Sequence, residues 1–202
     1  MSDTNETSPR LKNYDLVVIG SGPAGQRAAI QAAKLKKKVL IIERDAAGGA
    51  CLNLGTIPSK TLREAALSPN CRPENALESV MAQKERVIWE ENSVIHQQLS
   101  RNQVEFATGL ASFTSPHGIK ITTPSGAVEV EGAFILIGVG THPIRPRQIP
   151  FDDECLFDSD TILRMKKLPK TLAVIGAGVI GSEYASIFGR LGVQVTIVDR
   201  RT

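Results

Sequence analysis

Short unbroken apolar runs alternate with stretches of helical period along this chain, and one such alternation occurs twice. Leu16-Val17-Val18-Ile19 is a continuous apolar run, as expected of a strand covered on both faces. A helical pattern follows to about Leu35, and Val39-Leu40-Ile41-Ile42 is a second run ending at Glu43. Residues 14–43 therefore read as a βαβ unit. The same succession returns as Leu172-Ala173-Val174-Ile175, a helix to about Leu191 closed by Gly192, and a strand from Val193 to Val198 ending at Asp199. Between the two copies, residues 62–103 are predicted helical, broken from Ser68 to Pro73 by two prolines and an asparagine. From Ser79 to Arg101 the positions Val80, Val87, Ile88, Val94, Ile95 and Leu99 form one core-facing stripe. Val104-Glu105-Phe106 and Gly109 to Phe113 then read as strands. Ile119 to Thr123 and Ala127 to Val130 flank Pro124-Ser125-Gly126 as a hairpin. Phe134 to Ile137 reads as a buried strand running into the glycine-rich turn Gly138-Val139-Gly140.

Each βαβ copy carries G-x-G-x-x-G between its first strand and its helix. The first is Gly20-Ser21-Gly22-Pro23-Ala24-Gly25 and the second is Gly176-Ala177-Gly178-Val179-Ile180-Gly181. The first glycine permits the tight turn, the second lets backbone approach a pyrophosphate, and the third lets helix pack close to strand. Pro23 suits the first helical turn, where its missing N–H is no loss. The helix N-terminus offers N–H groups and partial positive charge to phosphates. Glu43, followed by Arg44, stands where a carboxylate can accept hydrogen bonds from a ribose, and Asp199 stands equally far beyond its own glycines. Arg200 and Arg201 could reach the 2′-phosphate of NADP, whereas Asp199 suits the free ribose of NAD. The bland alternative is a pair of tight strand–helix turns without ligand. Repetition with one spacing argues for function, and two dinucleotides imply hydride transfer between them. The fold class expected is α/β, with two Rossmann-like dinucleotide-binding units, the second incomplete.

Charge and cysteine usage narrow the partners. With 24 basic and 21 acidic residues the net charge is +3, too balanced to indicate nucleic acid or a membrane surface. The only basic run, Lys36-Lys37-Lys38, reads as a solvated helix end. Three cysteines without a C-x-x-C pair argue against a disulfide framework, and three scattered histidines offer no metal-ligand spacing. Residues 1–12 are polar and expected to be disordered. No charged and then apolar leader is present, and no apolar run is long enough to span a membrane, so a cytoplasmic location is the default expectation.

One further stretch carries a family resemblance. Gly48-Gly49-Ala50-Cys51-Leu52-Asn53-Leu54-Gly55-Thr56-Ile57-Pro58-Ser59-Lys60 resembles the active-site segment of the flavoprotein disulfide reductases, which have C-x-x-x-x-C at this place. Here the second cysteine position is Thr56, and a thiol and a hydroxyl cannot form a disulfide. Gly55-Thr56-Ile57-Pro58-Ser59-Lys60-Thr61-Leu62-Arg63-Glu64-Ala65 is similar to the soluble pyridine nucleotide transhydrogenase branch of that family, as is the Asp158-Ser159-Asp160-Thr161-Ile162-Leu163 linker.

The resemblance implies FAD bound by the first unit and NAD or NADP by the second. It places Gly48, Gly49, Ala50 and Cys51 at the flavin, and Lys60 beside its reactive edge, where a cation favours the reduced form. Backbone at Val139 and Gly140 is implied in flavin contact, although Gly138-Val139 replaces the family's usual pair. Glu183 is implied to pair with Lys60 where nicotinamide meets flavin. On its own it reads as a first-turn carboxylate stabilising a helix N-terminus. Cys51 is either a small apolar packing group or a lone thiol. Relatives often have glycine where Lys36 stands, at a left-handed helix terminus.

By this resemblance, residues 13–150 form an FAD-binding domain with helical and β-hairpin insertions. Residues 151–202 form a linker and the truncated start of an NAD(P)-binding domain. The implied activity is FAD-dependent hydride transfer between NADPH and NAD, with pyridine nucleotides as substrates and no redox-active disulfide. A dihydrolipoamide dehydrogenase relative that has lost its second cysteine stays open, as does a truncated, non-catalytic FAD-binding fragment. Related enzymes are dimers and family members are more than twice this length, so a homodimer and a missing C-terminal half both stay open, and marginal stability and little turnover are expected for residues 1–202 alone.

Overall fold

The computed structural model describes residues 12–69 and 75–200. The expectations for residues 1–11, Cys71, Pro73 and Arg201 fall outside the described residues. Two compact units emerge, interleaved along the chain, whereas the sequence reading runs them consecutively. One holds Met1–Gly49 and Val94–Gly140, and the other holds Ala50–Ser93 and Thr141–Thr202.

The first unit is built on a six-stranded sheet. Its strands are β1 (Lys12–Ile19), β2 (Val39–Glu43), β3 (Glu105–Thr108), β4 (Leu110–Phe113), β5 (Gly118–Thr123) and β6 (Gly126–Ile137). Their order is β3-β2-β1-β6-β5-β4. The pairs β2–β3, β1–β2 and β1–β6 are parallel, and β4–β5 and β5–β6 are antiparallel. Lys12, expected at the end of a disordered tail, already pairs with Val130. The two strands expected at Ala127–Val130 and Phe134–Ile137 are one, because β6 pairs first with β5 and then with β1. Gly132 makes this continuity possible: a Cβ there would lie 2.8 Å from Val17 Cγ2.

Tyr14, Val17, Leu40, Ile42, Ile119, Ile121 and Val130 form one core cluster of this unit, and Val18, Val39 and Ile41 are buried as well. Helix α1 (Pro23–Lys34) buries Gly25 and Ala29, one turn apart on one face. The apolar run at the end of β6 is not buried as expected, since Phe134 is 74% exposed and Ile137 is exposed with it.

The second unit packs helices against a parallel ribbon of β7 (Thr171–Ile175) and β8 (Gln194–Val198). Its helices are α2 (Gly49–Asn53), α3 (Thr56–Leu67), the first part of α4 (Ala76–Arg101) and α5 (Val179–Arg190). Leu62, Ala65, Ala66, Ala76, Val80, Leu163, Ile187 and Phe188 are buried together, with Leu172 and Val195 of the ribbon packed against them. The expectation of a strand buried on both faces fails for β7, because one side of a two-stranded ribbon has no second layer among the described residues and Ile175 is 80% exposed.

On α4, Val80, Ile95 and Leu99 are buried, whereas Val94 of the expected stripe is exposed. The helix buries Lys84 as well, its ammonium donating to the Leu163 carbonyl at 2.7 Å and pairing with Glu85 at 2.8 Å. Ahead of β7, Arg145 clasps Asp158 and Asp153, each at 2.6 Å. Burial pushes the Asp158 carboxyl up, but the Arg145 guanidinium and the Thr161 and Asp160 N–H groups outweigh it, and the net shift is downward.

Three helices end in the same way. Lys36, Gln103 and Gly192 have φ of 63°, 57° and 89°. In the first, the Lys36 N–H reaches the Ala33 carbonyl at 2.9 Å and the Lys37 N–H reaches Ala32 at 3.2 Å. The pair of bonds is a Schellman closure, which favours glycine at the left-handed position. Glycine is present only in the third.

Candidate functional site

In the first unit the glycine loop sits at the C-terminal ends of parallel strands, where β1 turns toward β2 on one side and borders β6 on the other. That is the switch point at which α/β sheets bind ligands. The Gly20 N–H donates to Ile42 at 2.8 Å, and the Gly138 N–H donates to Ile19 at 2.7 Å. A Cβ on Gly20 would lie 2.3 Å from the Gly138 carbonyl oxygen, so the loop is pressed against the end of β6. Val139 is exposed beyond it, and Gly140 follows at φ 69°.

Glu43 is buried at the end of β2. Its Oε2 accepts the Ser21 N–H at 2.9 Å and the Ser21 hydroxyl at 2.7 Å, while Oε1 accepts the Asp45 N–H at 3.1 Å. The Ser21 hydroxyl also accepts the Gly48 N–H at 3.1 Å. Ser21 therefore ties Gly20–Gly25, Glu43 and Gly48 into one cradle. In the sequence Ser21 shows no signal beyond being a small hydroxyl residue between the first two glycines. Arg44 is exposed and turns to Asp45 at 2.9 Å.

The second unit repeats the backbone part of the arrangement. Gly176 N–H donates to Val198 at 2.7 Å, and Ala177 N–H donates to Asp199 Oδ2 at 2.6 Å, as Ser21 does to Glu43. Cβ atoms on Gly25 and Gly181 would each lie 2.0 Å from the carbonyl oxygen of the first glycine of their motif. Val179, Ile180 and Arg200 are exposed.

Neither α1 nor α5 has a side-chain cap or an acidic residue in its first turn. Their first turns therefore take neither a side-chain cap nor a carboxylate from the helix itself, which leaves N–H groups open to an anion. Gly22 and Gly178 precede those helices with extended torsions, φ −63° and −68°, which any residue adopts. A Cβ on either would meet nothing within 4 Å. Packing and torsion alike leave these two glycines unexplained, whereas a pyrophosphate passing over bare backbone accounts for both. The residues present thus fit a dinucleotide in each unit.

Ala50, Cys51, Lys60 and Glu183 belong to the second unit. Cys51 is partly buried in α2 and is a free thiol, and Thr56 is exposed at the start of α3. Lys60 on α3 and Glu183 on α5 form an ion pair through Glu183 Oε1. Glu183 Oε2 accepts the Ser59 hydroxyl at 3.2 Å. The expected first-turn position of Glu183 is corrected: α5 begins at Val179, which puts Glu183 in the second turn, turned toward α3. Its neighbour Tyr184 is buried and donates to the Ser159 carbonyl at 3.2 Å.

Residues 14–202 match the family model for pyridine nucleotide-disulphide oxidoreductases. The chain belongs to that family. It is 44% identical, over 95% of its length, to a soluble pyridine nucleotide transhydrogenase of Mycobacterium bovis, and 41% identical over 94% to one of Colwellia psychrerythraea. It covers 44% of each of these relatives, so it spans less than half their length. The HOCl-induced flavoprotein disulfide reductase RclA from Escherichia coli shares the fold at a TM-score of 0.81 and 31% identity, over 91% of this chain and 41% of that one. As in other members of that family, the architecture is the α/β one expected, with a parallel-dominated sheet under the first glycine loop. No helix among the described residues is long and apolar enough to cross a membrane.

Proposed function

We propose that this chain is the flavin- and nucleotide-binding part of a soluble transhydrogenase that moves hydride between NADPH and NAD without a redox-active disulfide. The observation that carries the reading is Thr56. It holds the second cysteine position at the start of α3, on the same helix as the Lys60 that pairs with Glu183. With no second thiol there, hydride chemistry does not pass through sulfur.

Residues 13–150 supply the FAD contacts: Gly20, Gly22, Pro23, Ala24, Gly25, Glu43, Arg44, Gly48, Gly49, Ala50, Cys51, Val139 and Gly140. Gly176, Gly178, Val179, Ile180, Gly181, Asp199 and Arg200, within residues 151–202, supply those to NAD or NADP. Bound flavin would supply a two-electron centre that accepts hydride from one nicotinamide and returns it to another. Lys60 supplies positive charge, and Glu183 fixes where that charge sits. Cys51 packs as a small apolar group, so Cys51→Ser retains hydride transfer.

The test is a reductive titration of the FAD-loaded, desalted protein under anaerobic conditions. Flavin bands retained after desalting and bleached by a single equivalent of NADPH, then restored by NAD, are the expected result. Uptake of a second equivalent would reveal another redox centre and overturn the disulfide-free reading.

A further inference from the structure

We propose that Ser59 is a positioning residue that sets where the Glu183 carboxylate meets Lys60. The proposal rests on the reading above only in taking that pair as part of the reaction site.

The Glu183 carboxylate has two holders of different character. Lys60 takes Oε1 from a long side chain that is 55% exposed. Ser59 takes Oε2 at 3.2 Å from a residue only 5% exposed. A lysine side chain loses much rotamer freedom when held in one place, and an exposed ion pair contributes little by itself. A serine hydroxyl sits two bonds from the backbone Cα, with one rotatable side-chain bond carrying it, here on the buried face of a helix. The carboxylate is therefore placed by the hydroxyl, and the ammonium follows the carboxylate.

The hydroxyl has a second acceptor, the Thr56 carbonyl at 3.3 Å, and only one proton to give. An ionised carboxylate is the stronger acceptor. The regular helical pattern already assigns the Lys60 N–H to the Thr56 carbonyl. Both considerations direct the Ser59 proton to Glu183. The far side of the contact is held as well, since Tyr184 anchors α5 to Ser159 and the Glu183 carbonyl accepts the Ser186 hydroxyl at 2.8 Å.

The test reads the pair without any nucleotide, so it stands apart from the functional reading. Lys60 must leave Glu183 and lose a proton before its amine can be acylated. Trace acylation, quantified by peptide mass spectrometry against the exposed Lys120, therefore reports how often the pair opens. Loss of one hydrogen bond to the carboxylate should raise Lys60 labelling in Ser59→Ala by about fivefold. In a Glu183→Gln background, Ser59→Ala should add nothing. Unchanged labelling in Ser59→Ala would assign the hydroxyl to Thr56 and overturn the proposal. An equal rise in the Glu183→Gln background would reduce Ser59 to a packing residue and overturn it too.

Discussion

Ser21 and Glu43 are joined twice, by the serine N–H at 2.9 Å and its hydroxyl at 2.7 Å, both on the same carboxylate oxygen. The corresponding pair in the second unit, Ala177 and Asp199, shows the backbone bond alone at 2.6 Å. The backbone bond belongs to the repeated architecture, while the hydroxyl bond is an addition in the first unit. Because that hydroxyl also receives the Gly48 N–H, it joins a distant glycine turn to the loop between strand and helix.

Ser21→Ala should therefore destabilise the protein by about 1–3 kcal/mol, since it leaves a buried carboxylate oxygen and a backbone N–H each short of a partner. The measurement is the midpoint of urea unfolding. A shift within experimental error would show that water or backbone adjustment replaces the hydroxyl.

Lys36 occupies the left-handed position that Gly192 fills in the second unit. A side chain there pays a steric cost that glycine avoids. Lys36→Gly should stabilise the protein by about 1 kcal/mol, partly offset by the greater freedom of glycine in the unfolded chain. Differential scanning calorimetry of the two forms would show it as a raised Tm. No rise would mean that the Lys36 backbone is not strained.

The repeated units were legible because period, glycine spacing and strand-end acids all follow from local chemistry. What stayed hidden depends on partners far away in sequence. Lys84 is a charge at a buried helical position, and its acceptor is the Leu163 carbonyl, 79 residues on. β6 reads as two strands because Gly132 interrupts it, and only its pairing with β5 and then with β1, past a close approach to Val17 that needs glycine, shows why the strand runs through. The apolar runs ending at Ile137 and Ile175 announce strands correctly but cannot report whether a second layer covers them. In the site, the glycines and acids were readable from spacing. Ser21 and Ser59 were not, since a serine shows its value only through what it touches.

The two tyrosines give a reading of both units at alkaline pH. Burial, helped by the hydrogen bond at 2.8 Å to Glu105 and that residue's charge, holds the Tyr14 phenol well above its ordinary range. Burial and the nearby charges of Glu183 and Asp160 do the same for Tyr184. In the unfolded chain both ionise near pH ~10. Each phenol therefore contributes stability in full below that pH, and the contribution declines as pH rises above it. A spectrophotometric titration should show no phenolate at pH ~10 in the folded protein, with the band appearing only as helical circular dichroism is lost. Phenolate formed near that pH with the fold intact would contradict the burial of these rings.

Gly22 and Gly25 lie three positions apart in one motif, yet they should fail in different ways. A Cβ on Gly25 would stand 2.0 Å from the Gly20 carbonyl oxygen, a contact that only backbone movement relieves. Gly25→Ala should therefore cost about 1–3 kcal/mol of stability through overpacking. Gly22 already has φ −63°, and its Cβ would meet nothing within 4 Å. Gly22→Ala should leave the unfolding midpoint nearly unchanged, because alanine tolerates that torsion and nothing stands in its way. If the space in front of α1 holds a pyrophosphate, the same substitution should weaken FAD retention by about tenfold or more, the methyl standing where phosphate approaches bare backbone. Equilibrium dialysis against FAD beside urea unfolding separates the two effects. A Gly22→Ala protein that unfolds early would move this glycine from ligand contact to architecture, and one that binds FAD unchanged would remove the pyrophosphate from the loop.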